Sequence, residues 1–169
     1  MTGDNRPEPP SIAGERETLA GFLDFLRATL LWKLEGLDDE QVRRAMVPSG
    51  TSLLGLVKHL AYVERSWFQG VWAGQEVTFP WTREDPDADW RIEPGETTQD
   101  IVDLYNGECD RSREIVAAAS SLDAVVEHPR RQGWKMNRRW ILTHMIEETG
   151  RHVGHADILR EQLDGATGE

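Results

Sequence analysis

The sequence predicts an all-α fold, a four-helix bundle with a long crossover connection between its second and third helices. Three observations carry this. Four long stretches place apolar residues at steps of three and four, the period of a helix with one buried face. One long polar connection, residues 75–96, separates the second pair of stretches from the first. No stretch alternates apolar and polar residues far enough to make a sheet.

The first predicted helix spans Ile12 to Leu34, with Leu19, Phe22, Leu23, Leu26, Leu30 and Leu34 in its stripe and Gly36 as its stop. The second follows VPSGTS, where Ser49, Thr51 or Ser52 can cap it, and Leu53, Leu56, Leu60, Val63 and Trp67 mark its buried face. It ends near Ala73 and Gly74. The connection after it, QEVTFPWTREDPDADWRIEPGE, holds three prolines, two tryptophans and many acids. Connections of this length are uncommon unless they are functional or flexible. The third helix opens at Thr97, spaced from Asp100 as in a capping box. Val125 and Val126 suggest a short extended piece without a sheet. The fourth helix runs from Asn137 or Arg138 to Leu163, with Ile141, Met145, Thr149, Ala156, Leu159 and Leu163 on its core face and Gly165 past its end. We expect one domain over residues 12–165, after a disordered tail over residues 1–11 that is polar and proline-rich.

Composition narrows the function. A net charge of −11 opposes phosphate backbones and anionic lipid, so no nucleic-acid or membrane partner is expected. No apolar run reaches the roughly 20 residues of a membrane span, and the start lacks signal-peptide order, so a cytoplasmic location is the expectation. The single cysteine, Cys109, excludes an internal disulfide and lies among acids that disfavour a thiolate. Seven tryptophans are many for 169 residues. Trp32, Trp67 and Trp140 read as core anchors. Trp72, Phe79, Trp81 and Trp90 cluster in or beside the long connection, where they either pin it to the bundle or cover a site. The acids Glu84, Asp85, Asp87 and Asp89 read as solvating that connection.

The fourth helix carries the chemical signal. His144, Glu148, His152 and His155 follow one another at steps of four, four and three. At about 100° per residue they share an arc of roughly 80°. Glu148 and His152, one turn apart, can reach one point, as paired metal ligands on a helix do. A solvated polar face gives the same spacing. On the second helix His59 sits at the margin of the Leu56/Val63 face, where a side chain points between helices. It can be a third ligand, or a histidine satisfied by a carbonyl or by an acid such as Glu64. Together the three make a His/His/Glu set suited to Zn²⁺ and able to hold Ni²⁺, Fe²⁺ or Mn²⁺, with an open position of the catalytic kind. His144 and His155 would then orient ligands, relay protons or replace a ligand. Arg151, beside a ligand, either holds a carboxylate or is a solvated arginine.

PSGTSLLGLVKHLAYVERSWF and WILTHMIEETGRHVGHADILRE resemble the DinB-like superfamily of metal-binding four-helix bundles. That superfamily includes mycothiol-dependent maleylpyruvate isomerases and bacillithiol or mycothiol S-transferases, and the resemblance is closest to an actinobacterial branch of it. The resemblance implies His59, Glu148 and His152 as ligands of one divalent metal ion, Zn²⁺ or Ni²⁺. Glu148 takes the place that is histidine in many members and glutamate in the isomerase branch. Where many members read His-His-Arg-Gly-Gln, this chain reads Arg151-His152-Val153-Gly154-His155. The implied activity is a thiol S-transferase or isomerase that joins a low-molecular-weight thiol of the mycothiol type to a small electrophile. The alternative is a metal-binding or stress-related small-molecule module without turnover. A homodimer is compatible with the sequence, which carries no interface signal.

Overall fold

The structure is a computed structural model and describes residues 6–167. The fold is mostly helical. Its elements in chain order are α1 (Glu15–Trp32), α2 (Asp39–Arg43), α3 (Leu53–Glu64), α4 (Thr98–Ala117), a hairpin of β1 (Val125–Glu127) and β2 (Lys135–Asn137), and α5 (Arg138–Asp164). Helix α1 packs on α5 and α3 on α4, with α3 also against α5.

Local chemistry sets the boundaries. Ser52 caps α3, its Oγ accepting from the Gly55 amide at 3.1 Å. Thr97 and Asp100 form the expected reciprocal box at the start of α4. Asn137 caps α5, and Gly165 ends it in the left-handed region at φ 78°. Helix α2 was not expected. It is a single turn fixed by a box in which Asp38 accepts from the Gln41 amide and Gln41 accepts from the Asp38 amide. The predicted second helix runs its full length in two forms, since α3 continues without a break as a π-helix over Arg65–Trp72. This wider turn buries Phe68, Gln69, Gly70, Val71 and Trp72 in succession.

The hairpin corrects the expectation of an extended piece alone. Val125 pairs with Asn137, Val126 with Met136 and Glu127 with Lys135, antiparallel. Gly133, at φ 79°, makes the turn, and its amide donates to Glu127 Oε1 at 2.9 Å. Three-residue strands carry too little alternation for a periodicity reading to register. The expected disordered tail falls partly on residues 1–5, which lie outside the described residues. Residues 6–11 have no helix or strand and run along α1, where Arg6 donates to Thr29 Oγ1 at 3.0 Å.

The core lies in two apolar clusters. One gathers Leu30, Leu56, Leu60, Ile101, Tyr105 and Ala156, the other Leu23, Phe68, Val116, Ile141, Leu142 and Met145. Each long helix changes character between them: Arg27 on α1, Glu64 on α3, Ser112 on α4 and Thr149 on α5 are all buried polar residues at the boundary. Arg27 and Glu64 meet there fork to fork, with Nε to Oε1 at 2.9 Å and Nη2 to Oε2 at 2.6 Å. Burial works against the Arg27 charge, but Glu64 more than offsets it, and the guanidinium pKa is raised. Cys109 beside this layer is buried, and burial first, then Glu64, pushes its thiol far up. It is an inert thiol.

Candidate metal centre

The apolar stripe of α3 turns His59 toward α5, and the three-four periodicity of α5 turns Glu148 and His152 toward α3. Each of the three offers a ligand atom, and those atoms all lie within 4.8 Å of one another. His152 is buried, while His59 and Glu148 are partly exposed. The His59 and His152 rings meet at 5.0 Å between centroids, inclined at 69°. His152 Nε2 lies 3.2 Å from Glu148 Oε1. The hydrogen bond from His152, helped by its charge and by Arg151 and His144, holds the Glu148 carboxyl below its usual range. A carboxylate with two imidazoles is a donor set for a borderline divalent cation, and these three residues fit one.

The other face of His59 is occupied. Its Nδ1 is 2.7 Å from Asp89 Oδ2, and its ring stacks on Trp90 at 3.8 Å with an interplanar angle of 16°. Both partners come from the one-turn 3₁₀ helix Ala88–Trp90, inside the long connection. Asp89 is therefore not one of the solvating acids: it is 5% exposed. The other acids of that stretch, Glu84, Asp85 and Asp87, do not share its burial, Glu84 and Asp87 being exposed and Asp85 half-buried.

The remaining histidines divide. His155 joins the site, its Nδ1 3.4 Å from His152 Nδ1. It lines a cleft of about 320 Å³ with Val47, Ser49, Thr51, Trp90 and Ile158. His144 is instead built into an aromatic group. It stacks on Trp140 at 5.0 Å and meets Trp67 edge-on at 4.5 Å. Arg151 is 54% exposed and spans Glu147 and Glu148, reaching Glu148 Oε2 at 3.2 Å. Of the aromatic residues near the connection, Trp90 covers the site, whereas Phe79 and Trp81 stack on each other at 4.2 Å and Trp81 meets Tyr62.

Sequence reasoning missed Asp89, and with it Lys58. Lys58 carried a signal: a lysine beside His59 within the apolar run LLGLVKHLAYV is a charge at a core position. Nothing local separates Asp89 from its acidic neighbours.

A family model described as mycothiol-S-transferase matches residues 18–165. The chain belongs to this family, and so to the DinB-like superfamily. No curated protein matches it. A solved structure, that of a conserved protein from Enterococcus faecalis, is similar with a TM-score of 0.66 at 15% identity, covering 92% of this chain and 100% of that one. That likeness is one of fold. Among the described residues no helix is long and apolar enough to cross a membrane.

Proposed function

We propose that the chain is a metal-dependent thiol S-transferase or isomerase, its single domain a DinB-type four-helix bundle. In this reading α1, α3 with its π-helical continuation, α4 and α5 are the bundle helices, and residues 73–97 are the crossover. One observation carries it: the convergence of His59, Glu148 and His152 beside a cleft, in a member of the mycothiol-S-transferase family. The three residues hold one divalent cation, Zn²⁺ or Ni²⁺ by their donor chemistry. When bound, such an ion lowers the pKa of a coordinated thiol and raises the thiolate population at neutral pH.

The chain's own residues do the rest. Trp90 closes the site on the side of the connection, so reactants enter from the cleft. Val47, Ile158 and the Trp90 ring offer apolar surface to an electrophile, and Ser49 and Thr51 offer hydroxyls to a polar thiol. His155, lining the cleft beside His152, takes up the proton that the thiol gives up. Arg151, bridging two glutamates, steadies Glu148 in this reading and does not bind substrate.

Elemental mass spectrometry of untagged protein tests the first half. Near-stoichiometric metal in the parent and none in a folded His59→Ala/His152→Ala variant is expected; a parent that takes up neither Zn²⁺ nor Ni²⁺ on dialysis overturns it. Adduct formation between a low-molecular-weight thiol and a panel of electrophiles tests the second half. A metal-loaded protein that forms no adduct is a binding module.

A further inference from the structure

We propose that Asp89 is a positioning residue for His59, and that Gly55 and Lys58 build the seat that holds it. This rests on the reading of His59, Glu148 and His152 as a metal site. A carboxylate only accepts hydrogen bonds, so the 2.7 Å contact places the proton of the His59 ring on Nδ1. The lone pair is then on Nε2, and the ring has one tautomer and one ligand atom. Trp90, stacked at 3.8 Å, fixes the plane in which that lone pair points. A ligand histidine whose second nitrogen donates to a carboxylate is oriented and made more basic.

The carboxylate is a built feature. Its segment is held to α3 by residues one turn from His59 or adjacent to it. At Gly55 a Cβ would stand 2.6 Å from the Trp90 carbonyl oxygen, so the connection lies directly on the helix backbone there. Lys58 is 2% exposed. Its ammonium donates to the Arg91 carbonyl at 2.7 Å and to Glu96 Oε2 at 2.8 Å. Glu96 in turn accepts from the Glu93 amide at 2.7 Å. Positions 58 and 59 lie three and four residues beyond 55, each about one turn from it. One turn of α3 thus presents His59 to α5 and anchors the strap that orients it. Burying a lysine is costly unless it is paired, and its pairing here ties down the chain that carries Asp89 and Trp90.

The test has two readouts on full-length protein. Ring ¹⁵N NMR of the metal-free form reports the His59 tautomer, and competition with a chromophoric chelator reports Zn²⁺ affinity. Parent, Asp89→Asn, Asp89→Ala and Lys58→Met are compared, with folding checked by circular dichroism. The parent should show His59 protonated at Nδ1 alone. Asp89→Ala should give a mixture of tautomers and bind Zn²⁺ about 10–100-fold more weakly. Asp89→Asn, which keeps an acceptor without the charge and suits the same space, should fall between. Lys58→Met should weaken binding in the same direction with every ligand intact. An Nε2-protonated His59 in the parent, or Zn²⁺ affinity unchanged within twofold in folded Asp89→Asn and Asp89→Ala, overturns the proposal. A parent with the expected tautomer that takes up no Zn²⁺ instead sinks the metal reading, and with it any role for Asp89 beyond structure.

Discussion

Helix α3 contributes to two polar clusters five residues apart, at His59 and Glu64, and they are built on opposite plans. At Glu64 the carboxylate meets Arg27, and Arg27 Nη1 continues to Asp24 at 2.9 Å. Donors face acceptors, and opposite charges close on each other. At His59 the neighbours are Glu148 and His152, and each of the three offers a ligand atom within 4.8 Å of the others. Their mutual contacts are longer, at 3.2 Å between Glu148 and His152 and 3.4 Å between His152 and His155. The first arrangement is complete as folded. The second gathers a carboxylate and two imidazoles, groups of the metal-ligating kind, with looser contacts among them. Burial of polar groups alone therefore does not mark a candidate site; the convergence of ligand-type side chains does.

Breaking the first cluster should have the largest effect on the fold. Arg27→Met leaves Glu64 buried without its partner and should cost about 3–5 kcal/mol in denaturant unfolding. Adding Glu64→Leu should recover most of that loss, because no buried charge then remains. Equal losses in the single and double variants would mean that the pair acts by packing instead.

The second cluster should respond to metal rather than to truncation. Zn²⁺ at a hundredfold excess over its dissociation constant should stabilise the parent by about 2.7 kcal/mol. His152→Ala should show no such gain in a thermal scan, while Arg27→Met should keep it. A metal-dependent gain that survives in His152→Ala would break the comparison.

Gly55→Ala sharpens it further. The new Cβ drives against the Trp90 carbonyl, 2.6 Å away, and overpacking of this kind costs about 1–3 kcal/mol. The change should displace the strap, and so lower Zn²⁺ affinity, without touching the Arg27–Glu64 pair.

The smallest effect comes from a histidine with no carboxylate. His128 stacks on Trp134 at 5.1 Å, and its Nδ1 accepts from the Arg130 amide at 3.2 Å. Burial first, then the charges of Arg130 and Arg131, lowers its pKa from 6.5. The unfolded chain binds the proton at higher pH than the folded one, so this group's contribution is full above pH 6.5 and is lost as pH falls below it. His128→Gln should flatten that part of the stability profile between pH 7.5 and 5.5, leaving metal uptake at pH 7.5 unchanged.

These contrasts also show what a single sequence discloses. Glu148 and His152 were legible because both lie on one helix, where spacing fixes geometry. His59 was legible as a polar residue at the edge of an apolar stripe. Its pairing with Glu64 was open in the sequence, and the structure gives Glu64 to Arg27, which lies on another helix. His144 shares the arc of His152, but the bulk of Trp67 and Trp140 captures its ring, a contact that no helical wheel represents. Asp89 was illegible because its burial depends on how a connection without periodic structure folds back onto α3. The long helices were readable for the reason that the hairpin was not: many repeats of a period against three residues per strand.

The donors of the candidate centre are far apart in the chain, with His59 on α3 and Glu148 and His152 on α5. A bound ion is therefore a removable cross-link between two helices as well as a reactive centre. It disfavours every state in which α3 has parted from α5, including partly open ones in which α1 remains on α5. Escape of the ion to a chelator then keeps time with the opening of that seam. Amide exchange along the facing turns of α3 and α5 should slow together when the ion is present, while exchange at the hairpin runs on its own clock.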